Sequence, residues 1–203
     1  THKNVHILRS TDVSELSKQN ILPLVLAEFP NAALEYPICF IKYSDSGDYQ
    51  VVALMGIEKE ENLFVNGSAW EGSYMPARYT HSPFGLVKNP DDHTQFGIAI
   101  DAEHRLISDS EGEALFNDDG TETEFLQKQK EAMSAYLEQE QLTKLFIKEV
   151  DEAGLLVTRS VGVNIGEKKM SVDGIAMVDE EKLKELSDET FLKFRKNGML
   201  PSI

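Results

Sequence analysis

The chain has 203 residues, a net charge of −15, a hydrophobic fraction of 41% and a single cysteine. This length allows a well-buried core, and the negative charge acts against binding to nucleic-acid phosphates or anionic lipid. No apolar run approaches the roughly 20 residues of a membrane-spanning helix, and the N-terminal residues lack the apolar core of a signal peptide. We therefore expect a cytoplasmic protein that neither binds nucleic acid nor inserts into a membrane. The acidity itself indicates either simple solubility or attraction to a basic partner or a cation.

The first thirty residues predict a short strand followed by helical segments. Residues 5–9 predict the strand, and residues 12–15 have the Asp-x-x-Glu spacing of a capping box that starts a brief helix. Residues 21–33 are rich in alanine and leucine, which favours a second helix. Pro23 is tolerated in the first turn of such a helix, and Pro30 is expected to break or restart it.

The strongest hairpin signal in the chain joins residues 37–43 to residues 49–57. Both runs are rich in β-branched and aromatic residues, and a Ser-Asp-Ser-Gly-Asp turn connects them. Cys39 lies in the first run, and we interpret it as a buried core thiol because it has no cysteine to pair with. Residues 62–65 predict a third strand.

Residues 61–84 fit neither a plain helix nor a plain strand. They hold the only tryptophan and four more large aromatic residues among glycines and prolines. In a structural interpretation the rings pack on the sheet and the arginine pairs with a carboxylate. In a functional interpretation the aromatic faces and the guanidinium form a groove for a ligand or peptide. The candidate binding residues are Trp70, Tyr74, Arg78, Tyr79 and His81.

The middle of the chain predicts loops and short strands. A polar loop is expected at residues 88–94 and a strand at residues 96–100. The acidic stretch 101–119 is rich in turn-forming residues, and it predicts surface turns with one short strand at 104–107. It is the one candidate boundary in a chain that we otherwise expect to form a single domain over residues 1–203.

The clearest helix follows this acidic stretch. Thr121 and Glu124 have capping-box spacing, apolar residues then recur with helical periodicity, and Ala153-Gly154 provides a stop. The helix is near 30 residues long, so we expect a bend around residues 138–141.

The last fifty residues predict a second hairpin and two short helices. The hairpin joins residues 155–165 to 168–178, Asp179 caps a helix ending at Leu186, and Ser187 caps another over 188–196. The whole chain is therefore predicted to be α+β, with a mostly antiparallel sheet built from hairpins, one long helix and a C-terminal pair of short helices. The expected core residues of that pair are Leu183, Leu186, Phe191, Leu192 and Phe194.

The sequence contains no catalytic or cofactor-binding motif. Residues 117–120 do not fit a calcium-binding loop, because Leu115 and Leu126 would occupy its first and last positions, where acidic residues are required. No GxSxG, GxGxxG or phosphate-binding loop is present. The histidines are scattered without metal-ligand spacing, so we expect no metal, no cofactor and no catalytic residue. These histidines are His2, His6, His81, His93 and His104.

Five phrases of the sequence, taken in order, resemble the SapC family of bacterial proteins. They are PLVLAEFPNAALEYPICF at 23–40, the aromatic segment at 61–84, EGEALFNDDGTETEFL at 111–126, GLLVTRSVGVNI at 154–165 and the C-terminal segment from Gly174. The resemblance runs from about Asn4 to Ile203. The chain departs from it at Thr80, His81 and Ser82, where the family tends to carry basic and aromatic residues.

The resemblance implies an accessory role in surface-layer biogenesis, secretion or uptake, and it supplies no catalytic residues. Our leading hypothesis is a non-enzymatic accessory or binding protein that contacts a protein, peptide or small molecule through the aromatic segment. The alternative is an enzyme of unknown reaction with a pocket near residues 70–84 that includes His81. A structural surface-layer component, which would self-assemble, is a third option.

Overall fold

A computed structural model describes residues 4–44, 46–89, 96–166 and 168–203. His2, His93 and most of the predicted loop at 88–94 lie outside these residues. The chain divides into two compact units. Unit 1 comprises Thr1–Asp12 and Ala77–Glu138, and unit 2 comprises Val13–Pro76 and Gln139–Ile203.

The fold is α+β, as the sequence predicts. The strands are β1 (His6–Ile7), β2 (Ile21–Pro23), β3 (Ile38–Lys42), β4 (Tyr49–Leu54), β5 (Val65–Asn66), β6 (Ala69–Trp70), β7 (Phe84–Lys88), β8 (Phe96–Ile100), β9 (Ile107–Ser108), β10 (Glu113–Ala114), β11 (Leu156–Ile165) and β12 (Lys168–Val178). The α-helices are α1 (Phe29–Ala32), α2 (Ala77–Thr80), α3 (Glu124–Glu152), α4 (Glu180–Lys184) and α5 (Asp188–Lys196). Short 3₁₀ turns lie at Ser14–Leu16, Leu26–Glu28 and Leu200–Ser202. Within the described residues, no helix combines the length and apolar composition that crossing a membrane requires.

The helix predicted over residues 21–33 is wrong for its first part, which is strand β2. Ile21 pairs with Leu54 of β4, and β2 lies at the edge of its sheet. Proline has no N–H to donate, so Pro23 is accommodated in an edge strand. Helical structure begins only at Leu26–Glu28, and Pro30 then occupies the first turn of α1.

Both predicted capping boxes are misplaced. The residue that precedes the turn Ser14–Leu16 is Val13, which makes no side-chain cap. At the start of α3 the cap is Thr123, whose hydroxyl accepts the amide of Leu126 (3.2 Å). The Thr121 hydroxyl instead donates to Asp119 (2.6 Å), because the turn before the helix holds it there.

Two predicted strands are also shifted along the chain. Residues 62–64 do not form a strand, and the pairing begins at β5 with Val65 opposite Trp70. The strand expected at 104–107 starts only at Ile107, which pairs with Ile7.

Unit 1 contains two small antiparallel sheets. One has the order β10-β1-β9, and the other is the pair β7-β8, in which Phe84 lies opposite Ile100. The sequence predicted β8 but not its partner β7. The first half of α3 contributes to the same core. The buried core residues of this unit are Ile7, Phe84, Leu115, Leu126 and Met133.

Unit 2 is built on a five-stranded antiparallel sheet with the order β11-β12-β3-β4-β2. The register of these strands separates two apolar faces, because alternate residues of a strand point to opposite sides. One face is buried at its centre, where it carries Leu22, Phe40, Val51, Ala53 and Ala176. The other face carries Ile21, Cys39, Ile41, Val52, Leu54, Val161, Val172 and Ile175. We call this second surface the open face, since several of its side chains are only partly buried.

A β-bulge in β12 places Val172 and Ile175 together on the open face. Arg159 pairs with Ile175 but Val161 pairs with Val172, so β12 has one extra residue there. Val172 and Ile175 are three positions apart and would otherwise point to opposite faces. Gly174, with φ +76°, supplies the left-handed conformation of the bulge.

The two C-terminal helices form as predicted, with the expected caps. The Asp179 carboxylate accepts the amide of Glu181 (3.0 Å), and the Ser187 hydroxyl accepts that of Thr190 (3.3 Å). The core expected for them is wrong in part, because Phe194 is buried but Phe191 remains 44% exposed. Leu192 is also exposed, and Leu183 and Leu186 are only partly buried.

We expect the substitution Gly174→Ala to destabilise the protein by about 1–2 kcal/mol, because alanine is strained at this positive φ. Urea unfolding measures the change. The matched control is Gly162→Ala on the partner strand, where φ is ordinary and an added Cβ meets nothing within 4 Å. Equal effects of the two substitutions would contradict the role assigned to the bulge.

Candidate functional site

The aromatic segment, residues 61–84, folds partly around Glu35 in unit 2. The Glu35 carboxylate accepts the Ser73 amide at 2.7 Å from Oε1 and the Tyr74 amide at 3.3 Å from Oε2. Hydrogen bonds from the Ser73 side chain and backbone, with smaller contributions from Tyr36 and Tyr74, lower the pKa of Glu35 to about 2. Glu35 is therefore a charged carboxylate when it holds this loop.

The carbonyl of Tyr74 is the second fixed point of the segment. It accepts a hydrogen bond from Trp70 Nε1 (3.0 Å) and another from the Tyr36 hydroxyl. Burial, together with the nearby Glu35 carboxylate, raises the pKa of Tyr36, so this hydroxyl stays protonated and able to donate. The polar edge of Trp70 is thus occupied by a backbone partner.

Three rings pack together beside these hydrogen bonds. The Tyr36 and Phe64 rings meet edge to face with centroids 4.6 Å apart, and Phe64 stacks on Trp70 at 6.0 Å. Gly72 lies close against them, since a Cβ there would be 2.5 Å from the Tyr36 hydroxyl and 2.8 Å from Trp70 Nε1. Only glycine fits this position without displacing the cluster.

Tyr74 also reaches a buried carboxylate. Its hydroxyl donates to Glu28 Oε1 (2.7 Å), and Glu28 Oε2 accepts the amide of Val25 (2.7 Å). Glu28 is 4% exposed, so these bonds satisfy polar atoms that lie in the interior. Of the predicted binding residues, the structure therefore brings Trp70 and Tyr74 together, and both have partners within the chain.

The other three predicted residues belong to unit 1. Arg78 is exposed at the C-terminal part of α2, and no carboxylate of the described residues lies within ion-pair distance of it. Tyr79 is half-buried. The His81 ring meets Tyr136 edge-on, with centroids 5.8 Å apart.

The open face of unit 2 carries an apolar groove that the sequence did not predict. Its volume is about 330 Å³, within the range of small-molecule sites. One wall is the hairpin β11–β12, the floor is β3 and the end of β4, and the other wall is formed by residues 55–64. We call it the sheet groove. Its lining is Pro37, Ile38, Cys39, Leu54, Met55, Gly56, Ile57, Leu63, Phe64, Val161, Val163, Val172, Ile175 and Met177.

Residues 55–64 are fixed as a wall by polar contacts that face away from the groove. Asn62 is buried, and its side-chain amide donates to the Leu16 carbonyl (3.0 Å) and accepts from the Phe64 amide (3.0 Å). The Glu61 carboxylate accepts the amides of Ile57 and Glu58, each at 3.0 Å. This wall is therefore held rigidly although it has no long strand or helix.

The side chains that line the groove are almost wholly hydrocarbon. None of the described lining residues has a charged, hydroxyl or amide side chain. Cys39 lies on the floor, and burial raises the pKa of its thiol to about 11, so it is not a reactive thiolate near neutral pH. An ion pair between Lys168 and Glu58 links the hairpin tip to the opposite wall.

Unit 1 has a shallow hollow with a different character. Its volume is about 380 Å³, and its lining includes Ser82, Asp101 and His104. His104 Nδ1 accepts the backbone amide of Leu106 (3.2 Å), so the neutral ring carries its proton on Nε2. A histidine in this tautomer donates at Nε2 and does not remove a proton from a hydroxyl there. His81 does not line this hollow.

Within the described ranges, no group of three or more His, Cys, Asp and Glu side chains is placed to hold a metal ion. Neither the sheet groove nor the hollow in unit 1 offers such a set.

We expect Glu35→Gln to lower the free energy of unfolding near neutral pH, because Glu35 stabilises the folded state as a carboxylate. Its pKa falls from about 4.5 to about 2 on folding, so this stabilisation is present above about pH 4.5 and disappears as the pH falls through about 2. Urea unfolding of both proteins across this pH range should show their difference shrinking toward acid.

The control for this experiment is Glu71→Gln in the same segment, whose carboxylate accepts only from the exposed Asn66 side chain (2.7 Å) among the described contacts. If Glu35→Gln lowered the free energy of unfolding no more than the control does, or by an amount independent of pH, the role of Glu35 in holding the loop would be contradicted.

Comparisons with known proteins give one match. The family model described as SapC matches residues 1–203, the whole chain. No curated protein and no solved structure gives a significant match. The match covers all the phrases that carried the resemblance, from the aromatic segment to the C-terminal helices. The chain belongs to the SapC family.

Proposed function

We propose that this chain is a non-catalytic binding protein that takes up an apolar ligand in the sheet groove. The observation that carries the proposal is the groove itself, a concave site of about 330 Å³ lined by apolar side chains. Water in such a site has no side-chain partner, so replacing it with an apolar ligand is favourable.

The exposure of Leu63 supports this assignment. Leu63 lines the groove yet is 62% exposed, so the wall presents a large apolar side chain to solvent. Met177 on the opposite wall is 39% exposed. Apolar side chains that remain exposed around a cleft are typical of a binding surface.

The aromatic segment takes part in this function as a brace rather than as the contact surface. Phe64 lines the groove, and its other neighbours are the rings of Trp70 and Tyr36. The hydrogen bonds of Trp70 and Tyr36 to the Tyr74 carbonyl therefore fix the position of a groove residue. Binding through this groove is compatible with the accessory role in surface-layer biogenesis, secretion or uptake that the family implies.

An enzyme is the second candidate, because Ser82, Asp101 and His104 line one hollow in unit 1. The hydrogen bond from Leu106 to His104 Nδ1 argues against it, since the histidine is not arranged as a base for the serine. We therefore favour binding over catalysis.

We expect Leu63→Ala to weaken the binding of an environment-sensitive apolar dye several-fold while leaving the free energy of unfolding nearly unchanged, because Leu63 is largely exposed and lines the groove. Fluorescence titration and urea unfolding measure the two quantities. The matched control is Leu34→Ala, which removes a leucine that is 82% exposed and lies outside the groove.

If both variants weakened dye binding equally, or if neither weakened it, the assignment of the sheet groove as the binding site would be contradicted.

A further inference from the structure

The shape of the sheet groove restricts what fills it. Its lining runs along β12 from Val172 to Met177, roughly 15 Å at the rise of a strand. An α-helix, about 10–12 Å across with its side chains, would occupy roughly 1,400 Å³ over this length, several times the volume of about 330 Å³.

The lining also restricts the polarity of the occupant. A peptide backbone in the groove would find no partner for its N–H and C=O groups among the described lining side chains. An extended peptide at the mouth would insert only separate side chains, about 7 Å apart on one face. A hydrocarbon chain has no polar group to satisfy and fills the groove continuously.

Charge limits the polar end of the same ligand. The groove is uncharged, and Lys168 at its rim is already paired with Glu58. The chain as a whole carries −15, which repels anions. The complementary ligand is therefore an uncharged hydrocarbon chain whose head carries no net negative charge.

We propose that the sheet groove binds the single unbranched alkyl chain of a small amphiphile whose head carries no net negative charge. This inference rests on the proposed function, that the groove takes up apolar ligands. Among heads without net negative charge, the length of the chain sets the affinity.

The test is a titration of the full chain with n-alkylphosphocholines from about six to about sixteen carbons, each kept below its micelle-forming concentration. Trp70 is the only tryptophan and stacks on Phe64 of the groove wall, so its fluorescence reports binding, and calorimetry confirms it. We expect affinity to rise about two- to fourfold for each methylene and to level off once the chain is longer than the groove, roughly 15 Å. An alkyl sulfate of matched length should bind more weakly.

Two variants assign the site. Val163→Phe fills the groove and should abolish the dependence on chain length, whereas Asn164→Phe adds the same ring to the opposite face of β11 and should leave it intact. Retained chain-length dependence in Val163→Phe would overturn the proposal.

The remaining outcomes separate this inference from the proposed function. If the apolar dye binds at the groove but affinity is independent of alkyl length, or a branched hydrocarbon of equal carbon number binds as well, the alkyl-chain inference is wrong and the proposed function stands. If neither dye nor any alkyl probe binds, both are wrong. Binding only to phosphatidylcholine vesicles, or only to an apolar peptide, would also overturn the alkyl-chain inference.

Discussion

The central part of the unit 2 sheet, formed by β2, β3, β4 and the adjoining part of β12, is largely apolar on both faces, and the need to cover both faces governs the rest of that unit. Apolar surface left in water is unfavourable, so each face requires a partner layer. One face is buried at its centre, with Phe40, Val51 and Ala176 almost inaccessible to solvent. The open face receives only residues 55–64 as a partial cover, and the gap that remains is the sheet groove.

Three local devices keep this gap open and apolar. The bulge at Gly174 places Val172 on the same face as Ile175, the buried Asn62 anchors the wall of residues 55–64, and the ring of Trp70 supports Phe64 from behind. Each device uses hydrogen bonds or backbone geometry away from the groove, so the surface that faces the ligand remains purely apolar. The binding proposal rests on this separation between the polar contacts that support the groove and the apolar side chains that line it.

The sequence predicted those parts of the fold that depend on local signals. The hairpin β11–β12 and the helices α4 and α5 appear where turn residues and caps placed them, because those residues act on their immediate neighbours. Residues 21–23 were predicted as helix and form a strand, because pairing with β4 overrides the helical preference of the segment. Pairing with a strand that is distant in the sequence leaves no signal within a short stretch of residues.

The candidate site was predicted only in part, for the same reason. The aromatic segment was recognised as unusual, but the partners of Trp70 and Tyr74 include Tyr36 and Glu28, which are distant in sequence. The groove joins residues from Pro37 to Met177, and its only signal in the sequence is a hairpin strand with valine at alternate positions. Which face of a two-sided apolar sheet stays open depends on the whole fold.

The most direct measurement of the central claim is a methyl NMR spectrum of isotope-labelled protein with and without an alkylphosphocholine. The account predicts chemical-shift changes at the methyl groups of Leu63, Val161, Val172 and Ile175, which line or adjoin the open face. The methyl groups of Leu106 and Ile107 in unit 1 should keep their shifts. Changes confined to unit 1, or none in the groove at saturating ligand, would contradict the account.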